Sequence, residues 1–138
     1  MKKAVENISI LLAGGVMYAG IELLWRGYTH PSMVLTGGVC FLIIYRIAPF
    51  DSPLLLRVLA CAAAITAIEF AVGVCVNIIF ELNVWDYSDR PFNLLGQICP
   101  LYSFFWFILS FAAIPLCNYI YKWYRRLQKS QSEKEVIS

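Results

Sequence analysis

Four apolar stretches, separated by short polar segments, dominate the pattern of this chain. They cover residues 8–25, 33–47, 54–80 and 94–121. An α-helix needs about 20 predominantly apolar residues to cross the hydrocarbon core of a bilayer, and shorter or longer stretches adapt by changing their tilt. The pattern therefore predicts an all-α, polytopic membrane protein in which residues 1–125 form a bundle of four transmembrane helices.

Prolines mark the connections between these helices. A tight turn at residues 48–53 places Pro53 in the first turn of the third helix. The fourth helix begins either at Pro91 or only at Pro100. Residues 91–99 are accordingly either the early turns of that helix or a re-entrant half-helix whose N-terminus binds an anion.

Lysine and arginine are distributed unevenly over the predicted connections. If both termini are cytoplasmic, nine of these residues lie on the inner side and only Arg26 and Arg90 lie on the outer side. The nine are Lys2, Lys3, Arg46, Arg57, Lys122, Arg125, Arg126, Lys129 and Lys134. Cytoplasmic loops carry an excess of positive charge, so this bias predicts cytoplasmic N and C termini. Residues 126–138 form a basic, polar tail that either fixes the topology near anionic lipid or docks a cytoplasmic partner.

Composition supports a membrane protein. The 138 residues are 60% hydrophobic and 14% charged, whereas a soluble domain has about a quarter of its residues charged. The five cysteines lie singly and there is one histidine, so we expect neither a disulfide framework nor a metal site. The sequence carries no P-loop, GxSxG or HExxH signature, so we expect no ATPase activity and no cofactor in this chain. The bilayer is its predicted partner, and nucleic acid is not.

The stretch from Trp85 to Pro100 is the longest one that a lipid-embedded sequence should not contain. It holds two carboxylates, an arginine, an asparagine, a glutamine and two prolines. Irregular, polar backbone survives at membrane depth only where protein or water surrounds it. We therefore predict that this stretch forms the wall of a binding site, with Trp85, Asp86, Tyr87 and Asn93 as ligand-binding residues. An aromatic wall beside a carboxylate can bind a cation or a planar ligand.

A second polar cluster lies on one face of the first helix. Tyr18, Glu22, Arg26 and Thr29 recur at helical spacing, and a glutamate four residues before an arginine is the favourable order for an ion pair. This pair is either a salt bridge in the membrane interface or an anion-binding fork in which Glu22 orients Arg26. His30, at the end of the cluster, is either a capping group or a group that titrates near neutral pH.

Glu69 lies near the middle of the third predicted helix, where a carboxylate is costly in a bilayer. Thr66 and Asn77 share its face, which indicates that this polar stripe lines an interior or an oligomer seam. A separate stripe of small residues favours close helix packing. It consists of Ala63, Ala67, Ala71 and Cys75. Glu69 either belongs to a substrate or proton site, or fixes the bundle through a hydrogen bond to Tyr18 or Arg26.

Residues of the two outer clusters also point to a known family. They are Gly20–Glu22, Arg26–Met33, Gly37, Gly38, Trp85–Ser88, Pro91, Asn93 and Gly96–Cys99. In these positions the chain resembles a bacterial family of small membrane proteins described as ABC-transporter type IV permeases, over most of residues 14–110. The resemblance implies a permease-like, multi-pass protein of the bacterial inner membrane, and it supplies no catalytic residue.

Together these observations predict an outward-facing polar pocket. Its ligand-binding residues are Tyr18, Glu22, Arg26, His30, Glu69, Asn77, Trp85, Asp86, Tyr87 and Asn93. The first hypothesis is a homodimeric transport or ligand-binding subunit for a small polar or amphiphilic solute. The second is an intramembrane enzyme for a lipid-linked or apolar substrate, with Glu69 or Asp86 as general acid or base and Arg26 as electrostatic stabiliser. The third is a structural or regulatory partner whose polar stripe fixes an assembly.

Overall fold

Each of the four apolar stretches forms an α-helix in the computed structural model, which describes residues 2–137. The helices are α1 (Lys2–Arg26), α2 (Pro31–Ile47), α3 (Leu54–Gly73) and α4 (Pro100–Ile137). A π-helical segment, Val74–Ile79, continues α3. The rest of the described backbone consists of turns and irregular segments, with one isolated β-bridge between Leu94 and Ile98. The predicted all-α fold is confirmed.

Three helical segments are long and apolar enough to cross a membrane. They are Lys2–Arg26, Leu54–Ile79 and Pro100–Lys134. The helix α2 is also apolar, but its 17 residues extend only about 25 Å, less than the roughly 30 Å of a hydrocarbon core. The protein therefore has three candidate spans and one shorter helix, and a fourth crossing stays a prediction.

The first and last helices extend beyond the predicted spans. The helix α1 begins at Lys2 rather than near residue 8, and α4 continues to Ile137. The polar end of α4 is rich in lysine, arginine, glutamine and glutamate, which are good helix formers. The predicted basic tail is therefore helical as far as Ile137.

Residues 91–99 form turns rather than the start of α4. Phe92 and Leu95 have φ angles of 55° and 53°, and Gly96 has a φ of 69°. Such left-handed backbone cannot continue a right-handed α-helix. Pro100 then begins α4, where its missing N–H is no loss. Within this segment there is neither an earlier helix start nor a re-entrant half-helix.

The helices α1 and α2 form a hairpin that packs closely at glycines. A Cβ added at Gly37 would collide with the ring of Tyr18, and a Cβ added at Gly14 would collide with the ring of Phe41. Small residues let membrane helices approach closely. The close approach holds the Tyr18 ring against α2.

The helix α2 lies at the centre of the bundle. Tyr45 on α2 is 1% exposed and belongs to a core that includes Val58 and Cys61 of α3 and Ile114 of α4. The helix α1 packs chiefly on α2, and α4 packs on α2 and α3, whereas α1 and α4 make almost no close backbone contact. A gap therefore separates α1 from α4.

Side chains bridge this gap at its two ends. At the terminal end of the bundle, where α1 begins, buried Glu6 accepts hydrogen bonds from Arg125 at 3.2 Å and Gln128 at 3.0 Å. At the opposite end, called here the loop end, the rings of Trp25 and Phe105 meet edge-on with centroids 6.4 Å apart. Between these ends, the rings of Tyr18 on α1 and Trp106 on α4 also approach each other across the gap, with centroids 5.8 Å apart.

Candidate ligand-binding site

Two adjoining cavities occupy the gap between α1 and α4. The central cavity has a volume of about 200 Å³, and the loop-end cavity has a volume of about 320 Å³. Both are lined by Tyr18, Ile21, Met33, Trp106 and Leu109. The central cavity is further lined by Gly14, Met17, Thr36, Gly37, Cys40, Phe41, Ile44, Ile65, Glu69, Ala112, Ala113 and Leu116. The loop-end cavity is further lined by Glu22, Trp25, Arg26, Trp85, Tyr87, Tyr102, Phe105 and Ile108.

The rim of this space is apolar. Met17 and Ile21 of α1, and Ile108 and Leu116 of α4, line the cavities and are between 40% and 51% exposed. Exposed apolar side chains on a membrane helix face the lipid. The cavities therefore open sideways, between α1 and α4.

Glu69 connects the two cavities. It lines the central cavity and is 3% exposed, and its two hydrogen-bond donors line the loop-end cavity. Its Oε1 accepts a hydrogen bond from the Tyr87 hydroxyl at 3.1 Å, and its Oε2 accepts one from Trp106 Nε1 at 2.9 Å. These partners differ from the expected Tyr18 and Arg26. No ion pair to Glu69 is found within residues 2–137.

The predicted pair of Glu22 and Arg26 is formed at the loop end. Buried Glu22 accepts hydrogen bonds from Arg26 Nη2 at 2.8 Å and from the Thr29 hydroxyl at 2.7 Å. Arg26 Nη1 also donates to the carbonyl of Val84 at 3.2 Å, and the guanidinium lies 4.8 Å above the centre of the Tyr28 ring. The pair thus stabilises the end of α1 and attaches it to the polar loop, residues 80–99.

Asn77 anchors the polar loop from inside the bundle. Its Oδ1 accepts a hydrogen bond from the Val84 N–H at 2.7 Å, and its Nδ2 donates to Gln97 Oε1 at 2.8 Å. The Trp85 indole donates to the Gln97 carbonyl at 3.0 Å. The loop approaches α3 so closely that a Cβ added at Gly73 would lie 2.6 Å from Gln97 Oε1. Asn77 is absent from the lining of either cavity, so its role in ligand binding stays a prediction.

His30 and Asn93 are also outside the cavity lining. His30 caps α2, because its Nδ1 accepts a hydrogen bond from the Ser32 N–H at 3.2 Å. The Asn93 amide donates to the Arg90 carbonyl at 2.8 Å and so holds a turn of the polar loop. Among the side chains that the structure describes, no three His, Cys, Asp or Glu residues are grouped so that they could hold a metal ion.

Asp86 is exposed and caps its own turn. Its Oδ1 accepts hydrogen bonds from the Ser88 hydroxyl and, at 2.9 Å, from the Ser88 N–H. These two hydrogen bonds hold the pKa of the Asp86 carboxyl below its usual range. Glu69 is buried between Tyr87 and Trp106. The enzyme hypothesis requires the carboxylates of Glu69 and Asp86 to lie in one cavity. Asp86 lines neither cavity, so the structure does not meet this requirement.

Six of the ten predicted ligand-binding residues line the cavities. They are Tyr18, Glu22, Arg26, Glu69, Trp85 and Tyr87. Two parts of the lining were not predicted from the sequence: Met33 and the face of α4 that contains Tyr102, Phe105, Trp106 and Leu109. These four α4 residues have the i, i+3, i+4, i+7 spacing of one helix face. That spacing was a usable signal, but aromatic residues near a span's end are equally typical of the membrane interface.

A helical bundle with three candidate spans and a cavity that opens between two of them defines a multi-pass membrane protein. This chain belongs to the family described as "Putative ABC-transporter type IV", whose model matches residues 10–137. The resemblance identified from the sequence is thereby confirmed. No curated protein and no solved structure matched the chain.

Proposed function

We propose that this protein is a transport or ligand-binding membrane subunit that holds an amphiphilic solute in the two cavities between α1 and α4. The observation that carries this proposal is the chemistry of the cavity wall. The wall is largely apolar, and its charged groups are Glu69 and the pair of Glu22 and Arg26. An apolar pocket with a few convergent polar groups is the usual form of a small-molecule site. Membership of an ABC-transporter-type family supports the transport role.

In the proposed topology α2 also crosses the membrane, which raises the number of crossings from three to four. Both termini lie on the cytoplasmic side of the bacterial inner membrane. The helix α2 contacts all three other helices, so its short length is largely shielded from lipid. The terminal end of the bundle carries nine lysine and arginine residues, whereas the loop end carries two. This excess of positive charge supports cytoplasmic termini.

The basic end of α4 is the surface proposed for a cytoplasmic partner. The 38 residues of α4 extend about 57 Å, well beyond a hydrocarbon core of roughly 30 Å. Arg125 and Gln128 attach the helix to Glu6 at the terminal end of the bundle, so the extension projects from a fixed base. An ABC-type permease needs an ATPase, and the sequence of this chain has no nucleotide-binding signature.

The proposed homodimer forms through α3. The small-residue stripe predicted on this helix is exposed on its outer face. It consists of Ala63, Ala67, Ala71 and Cys75. Small side chains let two membrane helices pack closely, so a second copy of α3 is a suitable partner for this face.

Native mass spectrometry of the protein, gently extracted from its own membranes, tests the cavity. Ala112→Phe adds a ring at the cavity wall, and Ala13→Phe adds the same ring on an exposed position of α1 that lines neither cavity and lies outside the small-residue stripe of α3. We expect a small molecule or lipid to co-purify with the wild type and with Ala13→Phe, and to be depleted at least about tenfold in Ala112→Phe, since one tenfold step corresponds to only about 1.4 kcal/mol.

Equal amounts of the same bound molecule in all three proteins would contradict the cavity as the binding site. The same spectra report the oligomeric state. We expect a dimer for the wild type and a monomer for Ala67→Phe, because a large ring prevents close helix packing. A monomeric wild type in mild detergent would contradict the dimer.

A further inference from the structure

We infer that the ligand of these cavities is a lipophilic organic cation, meaning a positively charged nitrogen carried on an apolar or aromatic body. This inference rests on the proposed function and specifies the chemical class of the solute. Three features of the cavity wall support it: an uncompensated carboxylate, an aromatic lining and the absence of a free cationic group.

The carboxylate is that of Glu69. It is buried at the wall of the central cavity, and both of its hydrogen-bond donors, Tyr87 and Trp106, are neutral side chains. Glu22, the other carboxylate of the lining, is already paired with Arg26. An ionised Glu69 therefore leaves the lining with one negative charge in excess, which a cationic ligand would neutralise. Compensation matters here because an unpaired buried charge is strongly unfavourable.

The loop-end cavity, which adjoins the cavity that Glu69 lines, is largely aromatic. Seven of the thirteen residues that line the loop-end cavity are phenylalanine, tyrosine or tryptophan. Tyr18 and Trp106 line both cavities, and their ring centroids lie 5.8 Å apart at an interplanar angle of 40°. Aromatic faces attract organic cations, and this attraction is stronger in a desolvated site than in water. The two adjoining cavities together thus combine an anionic group with aromatic faces that bind a cation's methyl or methylene shell.

Arg26 does not make the cavity suitable for an anion. Its Nη2 is bonded to Glu22 and its Nη1 to the Val84 carbonyl, while its guanidinium lies over the Tyr28 ring. Its Nε has no hydrogen-bond partner within residues 2–137, but this atom is buried and inaccessible. An anionic ligand would have to displace Glu22 from a short ion pair, whereas a cationic ligand leaves that pair intact.

Calorimetric titration of the full-length protein in a non-ionic detergent tests the inference with two matched probes. Benzyltrimethylammonium carries the charge, and neopentylbenzene has the same shape with carbon in place of the charged nitrogen. We expect the wild type to bind the cation at least tenfold more tightly than the neutral compound. In Glu69→Gln the two affinities should agree within about twofold, and binding of the neutral compound shows that the variant retains the cavity.

Tyr18 provides a second pair of variants that leave Glu69 in place. We expect Tyr18→Phe to keep the preference for the cation, because it retains the ring. In Tyr18→Leu, the ratio of the affinity for the cation to that for the neutral compound should fall at least fivefold. Equal binding of both probes to the wild type would overturn the inference while leaving the cavity as a binding site. If neither probe binds and the Ala112→Phe variant retains all co-purified molecules, the proposed function fails together with the inference.

Discussion

The carboxylate of Glu69 joins three segments that are distant in the sequence. Glu69 lies on α3, Tyr87 lies in the polar loop, and Trp106 lies on α4. Each carboxylate oxygen accepts one hydrogen bond, so neither donor is left unsatisfied in a site that is largely closed to water. Leaving such a donor without a partner costs about 1–3 kcal/mol. The carboxylate therefore stabilises the packing of the loop and α4 against α3.

Substituting Glu69 should lower stability in a graded way. Glu69→Gln keeps one acceptor oxygen, so one of the two donors loses its partner. Glu69→Leu keeps none, so both the Tyr87 hydroxyl and the Trp106 indole lose theirs. We expect melting temperatures in the order wild type, Glu69→Gln, Glu69→Leu, with a loss of about 1–3 kcal/mol for each unsatisfied donor.

Glu81→Gln is the matched control, since Glu81 is exposed in the loop, and it should melt like the wild type. A Glu69→Leu protein that melts above the wild type would contradict this account. It would mean that burying the carboxylate costs more than its two hydrogen bonds contribute.

At this scale the sequence predicts local pairs and misses distant ones. The ion pair of Glu22 and Arg26 follows from a four-residue spacing on one helix, and it is present. The partners of Glu69 lie 18 and 37 residues away, and their approach depends on how the loop turns. Helical periodicity carries no information about such an approach, so Tyr18 and Arg26 were the wrong partners for Glu69.

At the scale of elements, the polar loop satisfies its own backbone. Asn93 bonds to a carbonyl of its own turn, and Asp86 caps the turn at Ser88. The prediction that protein surrounds this polar stretch holds for the buried Trp85 and Gln97, but not for Asp86 and residues 88–92, which are exposed. Two details could not be predicted: the left-handed conformations at Phe92 and Leu95, which are unusual for such residues, and therefore the start of α4 only at Pro100.

Gly73 sets the distance between the loop and α3. A Cβ at this position would lie 2.6 Å from Gln97 Oε1 and 2.9 Å from the Trp85 ring, so Gly73→Ala must displace the loop. We expect faster amide hydrogen exchange in residues 84–97 and a melting temperature lower by several degrees, equivalent to about 1–3 kcal/mol as for other overpacked sites.

Gly20→Ala is the control for helix propensity. A Cβ at Gly20 meets no atom within 4 Å, and alanine favours a helix over glycine by about 1 kcal/mol. The Gly20→Ala protein should therefore be as stable as the wild type or more stable. If both alanine variants behave alike, the loop is not held at the distance that the structure gives.

At the scale of the whole molecule, the number of crossings decides which segments share a side of the membrane. Single cysteines introduced as Ser52→Cys, Asp89→Cys and Ser130→Cys can be labelled in intact cells with a membrane-impermeant maleimide, using the wild type to subtract its native cysteines. With four crossings and cytoplasmic termini, only Asp89→Cys should gain label before the cells are permeabilised.

Three crossings would give a different pattern. If α2 stays on the outer side, Ser52→Cys and Ser130→Cys gain label in intact cells and Asp89→Cys does not. The experiment therefore separates the four-span bundle, which the hydropathy pattern predicts, from the three spans that helix length alone supports. The length of α2 does not decide the number of crossings, because a short helix can cross a membrane when the other helices shield it from lipid.

The sideways opening between α1 and α4 determines how a solute would reach the proposed site. In the proposed topology, hydrocarbon rather than water surrounds the apolar rim formed by Met17, Ile21, Ile108 and Leu116. A compound that dissolves in the bilayer is concentrated there by its partition coefficient before it meets the protein. Its apparent dissociation constant, expressed in total concentration, would then rise with the amount of lipid added, because the same dose is spread through more bilayer. Fluidity and acyl-chain order of the surrounding leaflet, rather than diffusion through water, would set its rate of arrival.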